Sequence, residues 1–109
     1  MKTDVTPEQW ADALESGDYK QGKKTDAMFK SDNGFCCLGV LADLMGDLRS
    51  NDPAGIDSRG IFPSGSRPEW LSRNQEDRAT GLNDGVNLPR RRTFKEIASW
   101  IRKGMEVPA

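Results

Sequence analysis

Apolar residues recur at helical spacing in the middle of the chain. They form a stripe at i, i+4, i+7 and i+11 that consists of Cys37, Leu41, Leu44 and Leu48, broadened by Leu38, Val40 and Met45. Gly39, Asp43 and Asp47 fall on the opposite side. Because this period extends over about a dozen residues, it predicts a central helix over Cys37–Leu48 rather than a strand.

Complete helix signals also occur early and late in the sequence. Each is a capping box, in which an N-cap hydroxyl and a Gln or Glu three residues later bond to each other's backbone N–H groups. The two boxes are Thr6 with Gln9 and Thr93 with Glu96. They predict helices over Pro7–Glu15 and Phe94–Lys103.

A short hairpin is predicted before the central helix. Asn33-Gly34 is the residue pair favoured in a two-residue type I′ turn, where both residues need a positive φ. This turn would allow Met28–Lys30 to pair with Phe35 and Cys36. The sequence therefore predicts two short antiparallel strands.

The segment Arg49–Arg67 is rich in Gly, Pro, Ser, Asn and Asp and predicts a long loop, with Ile61 the best place for a short strand. After it, Ser72 and Gln75 predict a short helix that ends at Leu82, followed by a turn.

The elements together predict an α+β fold: a small single domain over residues 1–109 with three to four short helices and a minor β-hairpin.

Composition narrows the class of protein. The chain has 16 basic and 17 acidic side chains, and this balance argues against a protein that coats nucleic acid through a general basic excess. Neither an apolar run of about 18 residues nor a signal-peptide core occurs in the sequence. We therefore expect no membrane insertion, a cytoplasmic location and reduced thiols.

Cys36 and Cys37 are the first candidates for chemistry. A thiol at a helix N-terminus can have a lowered pKa, but a thiol nucleophile usually needs a base, and the chain has no histidine. Two adjacent cysteines are also poor zinc ligands, and no glycine-rich phosphate motif is present. Packing in the core is the favoured interpretation, with a thiol site as the alternative, and we expect no metal and no cofactor.

Basic side chains provide the second candidate site. Residues 86–104 contain six basic side chains and one acidic side chain, and Arg90, Arg91 and Arg92 directly precede a helix N-cap. Arginine forks and free backbone N–H groups can bind phosphate at such a position. A second basic segment contains Lys20, Gln21, Lys23 and Lys24. If the two segments converge, they predict an anion site; a solvated basic face is the open alternative.

Four motifs in order resemble a family of small uncharacterised proteins encoded by tailed bacteriophages and prophages. These motifs are W..AL.SG.Y.QG at residues 10–22, CCLGVLADL at residues 36–44, LND at residues 82–84 and F.EIA.WI at residues 94–101. The resemblance implies a setting, the bacterial cytoplasm during infection. Small accessory proteins of phages commonly modify or block host machinery, including immune systems.

The leading hypothesis is therefore a phage accessory protein that is not an enzyme and acts by binding. Its expected partner is a host defence protein or an anionic small molecule, namely a nucleotide used as an immune signal. Two alternatives stay open: a small cysteine-dependent enzyme, and a nucleic-acid-binding module that uses Arg90–Arg92. The sequence leaves homo-oligomer formation open as well.

Overall fold

The computed structural model describes residues 4–22, 29–31, 33–46, 62, 67–86 and 88–107. Its elements, in chain order, are α1 (Pro7–Glu15), β1 (Lys30–Ser31), β2 (Gly34–Phe35), α2 (Cys37–Leu44), α3 (Arg73–Asp84) and α4 (Phe94–Arg102). The protein is a small single α+β domain, and the predicted fold class is confirmed. The predicted loop falls mostly on residues outside this description; of its apolar residues, Phe62 is described and is buried.

Capping boxes start three of the four helices among the described residues. Both hydrogen bonds of the box are present at Thr6 with Gln9, Ser72 with Gln75 and Thr93 with Glu96. The predicted bounds of α1 are confirmed, and α4 ends one residue earlier than predicted because Lys103 is its C-cap.

The end of α3 differs from the prediction. The sequence predicted a helix that stops at Leu82 and a turn at Asn83, but the helix continues to Asp84 and Gly85 is its C-cap. Gly85 adopts φ 78°, the left-handed conformation that glycine reaches without steric cost, and its N–H bonds to the carbonyl of Gly81. The extension includes Asn83, which lies on the buried side of α3.

The central helix is shorter and more completely buried than predicted. It ends at Leu44, with Met45 as its C-cap, and residues 47 and 48 lie outside the described residues. All its residues from Cys37 to Ala42 are buried, including Gly39, which the sequence placed on the polar side. That assignment is wrong because α2 is enclosed by other elements on several sides, so no single stripe describes its contacts.

The hairpin pairs Lys30 with Phe35 and Ser31 with Gly34. The predicted strand pairing is confirmed for its described residues, but this register moves the turn one residue earlier than the predicted Asn33-Gly34. Gly34 has φ 136° although it lies in β2 and not in the turn, and the space around it also requires glycine. A Cβ at this position would lie 2.3 Å from the carbonyl oxygen of Lys20, because the segment at residues 20–22 runs alongside β2.

The helices surround one apolar core. The first helix packs against α4 and α2, while α3 packs against α2 and α4. Trp10 is fully buried, and its indole N–H donates to the carbonyl of Cys37 at 2.9 Å. On the outer side of the α1–α4 contact, the Arg102 guanidinium donates to three carboxylates of α1, those of Glu8, Asp12 and Glu15.

A buried carboxylate, which no sequence pattern predicted, fixes part of the predicted loop. Glu76 of α3 is fully buried. Its oxygens accept a hydrogen bond from the backbone N–H of Phe62 at 2.9 Å and another from Nε of Arg67 at 2.8 Å. A buried carboxylate needs such partners, so Glu76 holds Phe62 and Arg67 against α3.

No helix within the described ranges is long and apolar enough to cross a membrane.

Candidate functional site

Three of the motifs found in the sequence meet at the start of α2. Asn83 is 2% exposed. Its side-chain oxygen accepts hydrogen bonds from Nε2 of Gln21 at 3.1 Å and from the backbone N–H of Cys37 at 3.2 Å. Gln21 Nε2 also donates to the carbonyl of Arg92 at 2.9 Å. We call Gln21, Cys37, Asn83 and Arg92 the amide junction.

The amide junction connects the two basic segments of the sequence through a hydrogen bond from the Gln21 side chain to the backbone of Arg92. Because Gln21 bonds to the backbone of Arg92, the chain next to the exposed Lys20 lies beside the residues that precede α4. Lys23 and Lys24, which were predicted to contribute to the same site, lie outside the described residues.

Gln21 and Arg91 serve the fold at this junction. The Gln21 amide is used for the two hydrogen bonds that connect α3 to the segment before α4. Arg91 Nε donates to the carbonyl of Asn83 at 2.9 Å, and the Arg92 N–H donates to the carbonyl of Leu82 at 2.8 Å. These contacts close the C-terminal end of α3, so Gln21 and Arg91 are positioning residues.

Arg90 is paired with a carboxylate of the same region. Its two terminal nitrogens donate to the two oxygens of Glu96, each at 2.7 Å. These bonds, together with the backbone N–H of Thr93, lower the pKa of Glu96 to about 2. Arg90 therefore neutralises a permanent charge on α4, which reduces the free positive charge expected from three consecutive arginines.

Arg92 borders a groove between the end of α3 and one face of α4. The groove has a volume of about 360 Å³ and is lined by Leu82, Arg92, Glu96, Ser99, Trp100 and Lys103. Lys103 belongs to the basic segment of residues 86–104, but Ser99, Trp100 and Lys103 were not among the predicted site residues. The signal that could have found them is their spacing, since residues 96, 99, 100 and 103 share one face of a helix. We call this feature the α4 groove.

Cys36 and Cys37 lie where the core meets the hairpin. Cys36 is the N-cap of α2, and its sulfur accepts a hydrogen bond from the N–H of Gly39 at 3.2 Å. Burial nevertheless raises the pKa of the Cys36 thiol to about 12. Cys37 is fully buried, which raises its pKa well above the ordinary value, and its thiol donates to the carbonyl of Ala79 at 3.4 Å. Both positions favour packing over nucleophilic chemistry.

Both thiols should therefore react slowly in the native protein. The rate of modification by an aromatic disulfide reagent at pH 7 should be at least about 100-fold lower than in the unfolded chain, because the thiolate is the reactive form and each pKa unit lowers its fraction tenfold. Single Cys36→Ala and Cys37→Ala variants identify the thiol responsible for any remaining reaction. Fast native modification of Cys36 with loss of ligand binding would support the cysteine-enzyme alternative.

A cluster of side chains that could bind a metal ion is not seen in the part of the chain that the structure describes. No three His, Cys, Asp or Glu side chains there lie close enough together to hold one ion.

Comparison with known proteins connects the chain to one family. No curated protein and no solved structure matches it. A family model described as a domain of unknown function, DUF8296, matches residues 1–61, which is more than half of the 109 residues. The match includes α1, the hairpin and α2, whereas the α4 groove is built from later residues. The chain belongs to the DUF8296 family of domains of unknown function.

Proposed function

We propose that this protein acts by binding an anionic partner through a basic surface, without catalysing a reaction. The observation that carries the proposal is the hydrogen bond from Gln21 Nε2 to the carbonyl of Arg92, which joins the two basic segments. Lys20 is exposed beside this contact, and the Arg92 side chain lines the α4 groove together with Lys103. We define Lys20, Arg92 and Lys103 as the basic surface.

The Arg92 side chain keeps capacity for a ligand. A guanidinium has five N–H donors, and within the described residues Arg92 uses one of them, from Nη1 to the carbonyl of Arg90. A planar guanidinium that can still donate two parallel hydrogen bonds suits phosphate or carboxylate groups. The raised pKa of Cys36 supports binding rather than thiol catalysis.

The biological setting that we propose is the one implied by the resemblance of the four sequence motifs to small uncharacterised proteins of tailed bacteriophages and prophages. In the bacterial cytoplasm, such a protein would lower the free concentration of a nucleotide used as a defence signal. The same basic surface could instead cover the acidic face of a host defence protein. A nucleotide is the preferred partner because the basic surface continues into a groove of small-molecule size.

The test compares two variants that remove positive charge at different places. Lys20→Ala combined with Arg92→Ala removes cations of the basic surface and leaves Gln21 and Arg91 intact. Arg73→Ala is the control, since Arg73 is an exposed arginine of α3 whose carboxylate partner is Asp77. Calorimetric titration with a panel of nucleotides should show at least about tenfold weaker binding for the double variant, because hydrogen bonds to charged groups contribute roughly 1.5 to 3 kcal/mol each, and no change for Arg73→Ala.

Salt dependence separates nucleotide binding from nucleic-acid binding. A duplex DNA of 20 base pairs should lose affinity steeply with salt concentration if it is the true ligand, because many counterions are released, while a nucleotide should lose little. Steep dependence would favour the nucleic-acid-binding alternative. Absence of binding to nucleotides, nucleic acids and acidic proteins alike, or equal binding by the double variant, would contradict the proposed function.

A further inference from the structure

The α4 groove differs from the rest of the basic surface because it combines cations with an aromatic ring. Arg92 enters it from the segment before α4, while Trp100 and Lys103 come from one face of the helix and its cap. Leu82, at the end of α3, provides an apolar wall. A ligand that satisfies all these groups carries both a negative charge and a flat apolar part.

Trp100 is held in place by the chain that follows α4. Its side chain is partly buried, and its indole N–H donates to the carbonyl of Glu106 at 2.9 Å. With the N–H already bonded, the remaining binding capacity of Trp100 is its ring surface. Stacking of a nucleobase on such a ring requires no further hydrogen-bond donor, because every base has a π-face.

The charges of the groove favour a phosphate group. Arg92 and Lys103 are the cations among the lining residues, and the charge of the one lining carboxylate, Glu96, is offset by Arg90. Arginine and lysine at one site are typical phosphate ligands. The Ser99 hydroxyl is a polar group of the lining that suits a hydroxyl of a sugar.

The volume limits the size of the ligand. About 360 Å³ lies near the lower end of the roughly 300 to 1,000 Å³ found for small-molecule sites. We infer that the α4 groove binds one mononucleotide, with its base on Trp100 and its phosphate between Arg92 and Lys103. This inference rests on the proposed function, since it specifies the anion that the basic surface takes.

The experiment measures binding of adenosine monophosphate, adenosine and inorganic phosphate to the full chain by calorimetry. Adenosine monophosphate should bind at least about tenfold more tightly than either part alone, because the groove holds the base and the phosphate together. Trp100→Leu should weaken its binding by about tenfold or more, whereas Trp100→Phe should retain most of the affinity because the ring is kept.

Two further variants keep the result interpretable if Trp100→Leu fails to fold. Trp70→Leu is the matched control, since Trp70 is also partly buried and its N–H also donates to a backbone carbonyl, that of Val5, outside the groove. The Trp70→Leu variant should bind adenosine monophosphate with the same affinity as the wild type. Lys103→Glu alters an exposed side chain and should weaken binding of adenosine monophosphate by about tenfold with the fold intact.

The results distinguish failure of the inference from failure of the proposed function on which it rests. If adenosine monophosphate does not bind, or if Lys103→Glu and Trp100→Leu bind it as the wild type does, the inference is wrong. If nucleic acid or an acidic protein then still binds and depends on Lys20 and Arg92, the proposed function stands without it. If no anion binds, both are wrong.

Discussion

Gly39→Ala should unfold the protein or lower its free energy of unfolding by at least about 3 kcal/mol. A Cβ on Gly39 would lie 1.8 Å from the carbonyl oxygen of Phe29, and this neighbour is backbone. The same carbonyl accepts a hydrogen bond from the N–H of Cys36 at 3.0 Å. Relief of the clash would therefore separate α2 from the hairpin and break the bond that joins them.

Gly81→Ala is the matched control for this prediction. Gly81 also lies inside a helix, but a Cβ at this position meets nothing within 4 Å. Since alanine is favoured over glycine in helices, Gly81→Ala should raise the free energy of unfolding by up to about 1 kcal/mol. Urea denaturation followed by circular dichroism measures both variants. Similar stability of the two would show that the approach of α2 to Phe29 is not as close as described.

The contrast between Gly39 and Gly81 also shows what a sequence can predict. The capping boxes at Thr6 and Thr93 were predicted because their partners lie three residues away, so the interaction is local. A helical pattern predicts only on which side of α2 Gly39 lies. The element that meets it, here the backbone of Phe29, depends on how the hairpin packs, which no local pattern specifies.

The candidate site also depends on tertiary contacts, which no local sequence pattern specifies. Charge counting gave equal weight to Arg90, Arg91 and Arg92, because it does not show which of the three side chains have partners in the fold. In the structure the Arg90 side chain bonds to Glu96, and Arg91 Nε bonds to the carbonyl of Asn83. The position of Trp100 in the wall of the α4 groove could not be predicted, because the groove depends on the end of α3 lying next to α4.

The cysteines show two opposing effects whose outcome the sequence could not decide. The position of Cys36 at the N-cap provides N–H groups that lower a thiol pKa. Burial acts in the opposite direction and is larger, so the pKa rises to about 12. Burial depends on tertiary packing, whereas the N-cap was visible in the predicted helix start.

Asn83→Ala should lower the free energy of unfolding by about 3 kcal/mol. The change removes the oxygen that accepts hydrogen bonds from Gln21 Nε2 and from the Cys37 N–H. A buried donor left without a partner costs about 1 to 3 kcal/mol, and the Cys37 N–H is buried at the centre of the domain. Loss of the Gln21 contact should also loosen the segment that carries Lys20.

Asn74→Ala provides the control, because Asn74 is an exposed asparagine of the same helix. It should change the stability by no more than about 0.5 kcal/mol, as surface substitutions usually do. Thermal and urea denaturation of the two variants measures the difference. Equal stability of Asn83→Ala and Asn74→Ala would mean that the amide junction does not hold the domain together.

Asn83→Asp tests the junction in a second way, through pH. The new carboxylate could still accept from Gln21 and Cys37, but it could no longer donate to Asp84, as the Asn83 amide does at 3.0 Å. Burial and the negative charge of Asp84 would both raise the pKa of the new group in the folded state above its unfolded value of about 3.9. An acid with a raised folded pKa destabilises the protein above its unfolded pKa. The stability of Asn83→Asp relative to wild type should therefore rise as the pH falls from 7 to 5.

Adding Asp84→Asn restores an amide donor next to the new carboxylate. The double variant should therefore recover part of the stability lost at pH 7. A loss of stability that does not depend on pH and is not rescued by Asp84→Asn would contradict the hydrogen bonds of Asn83.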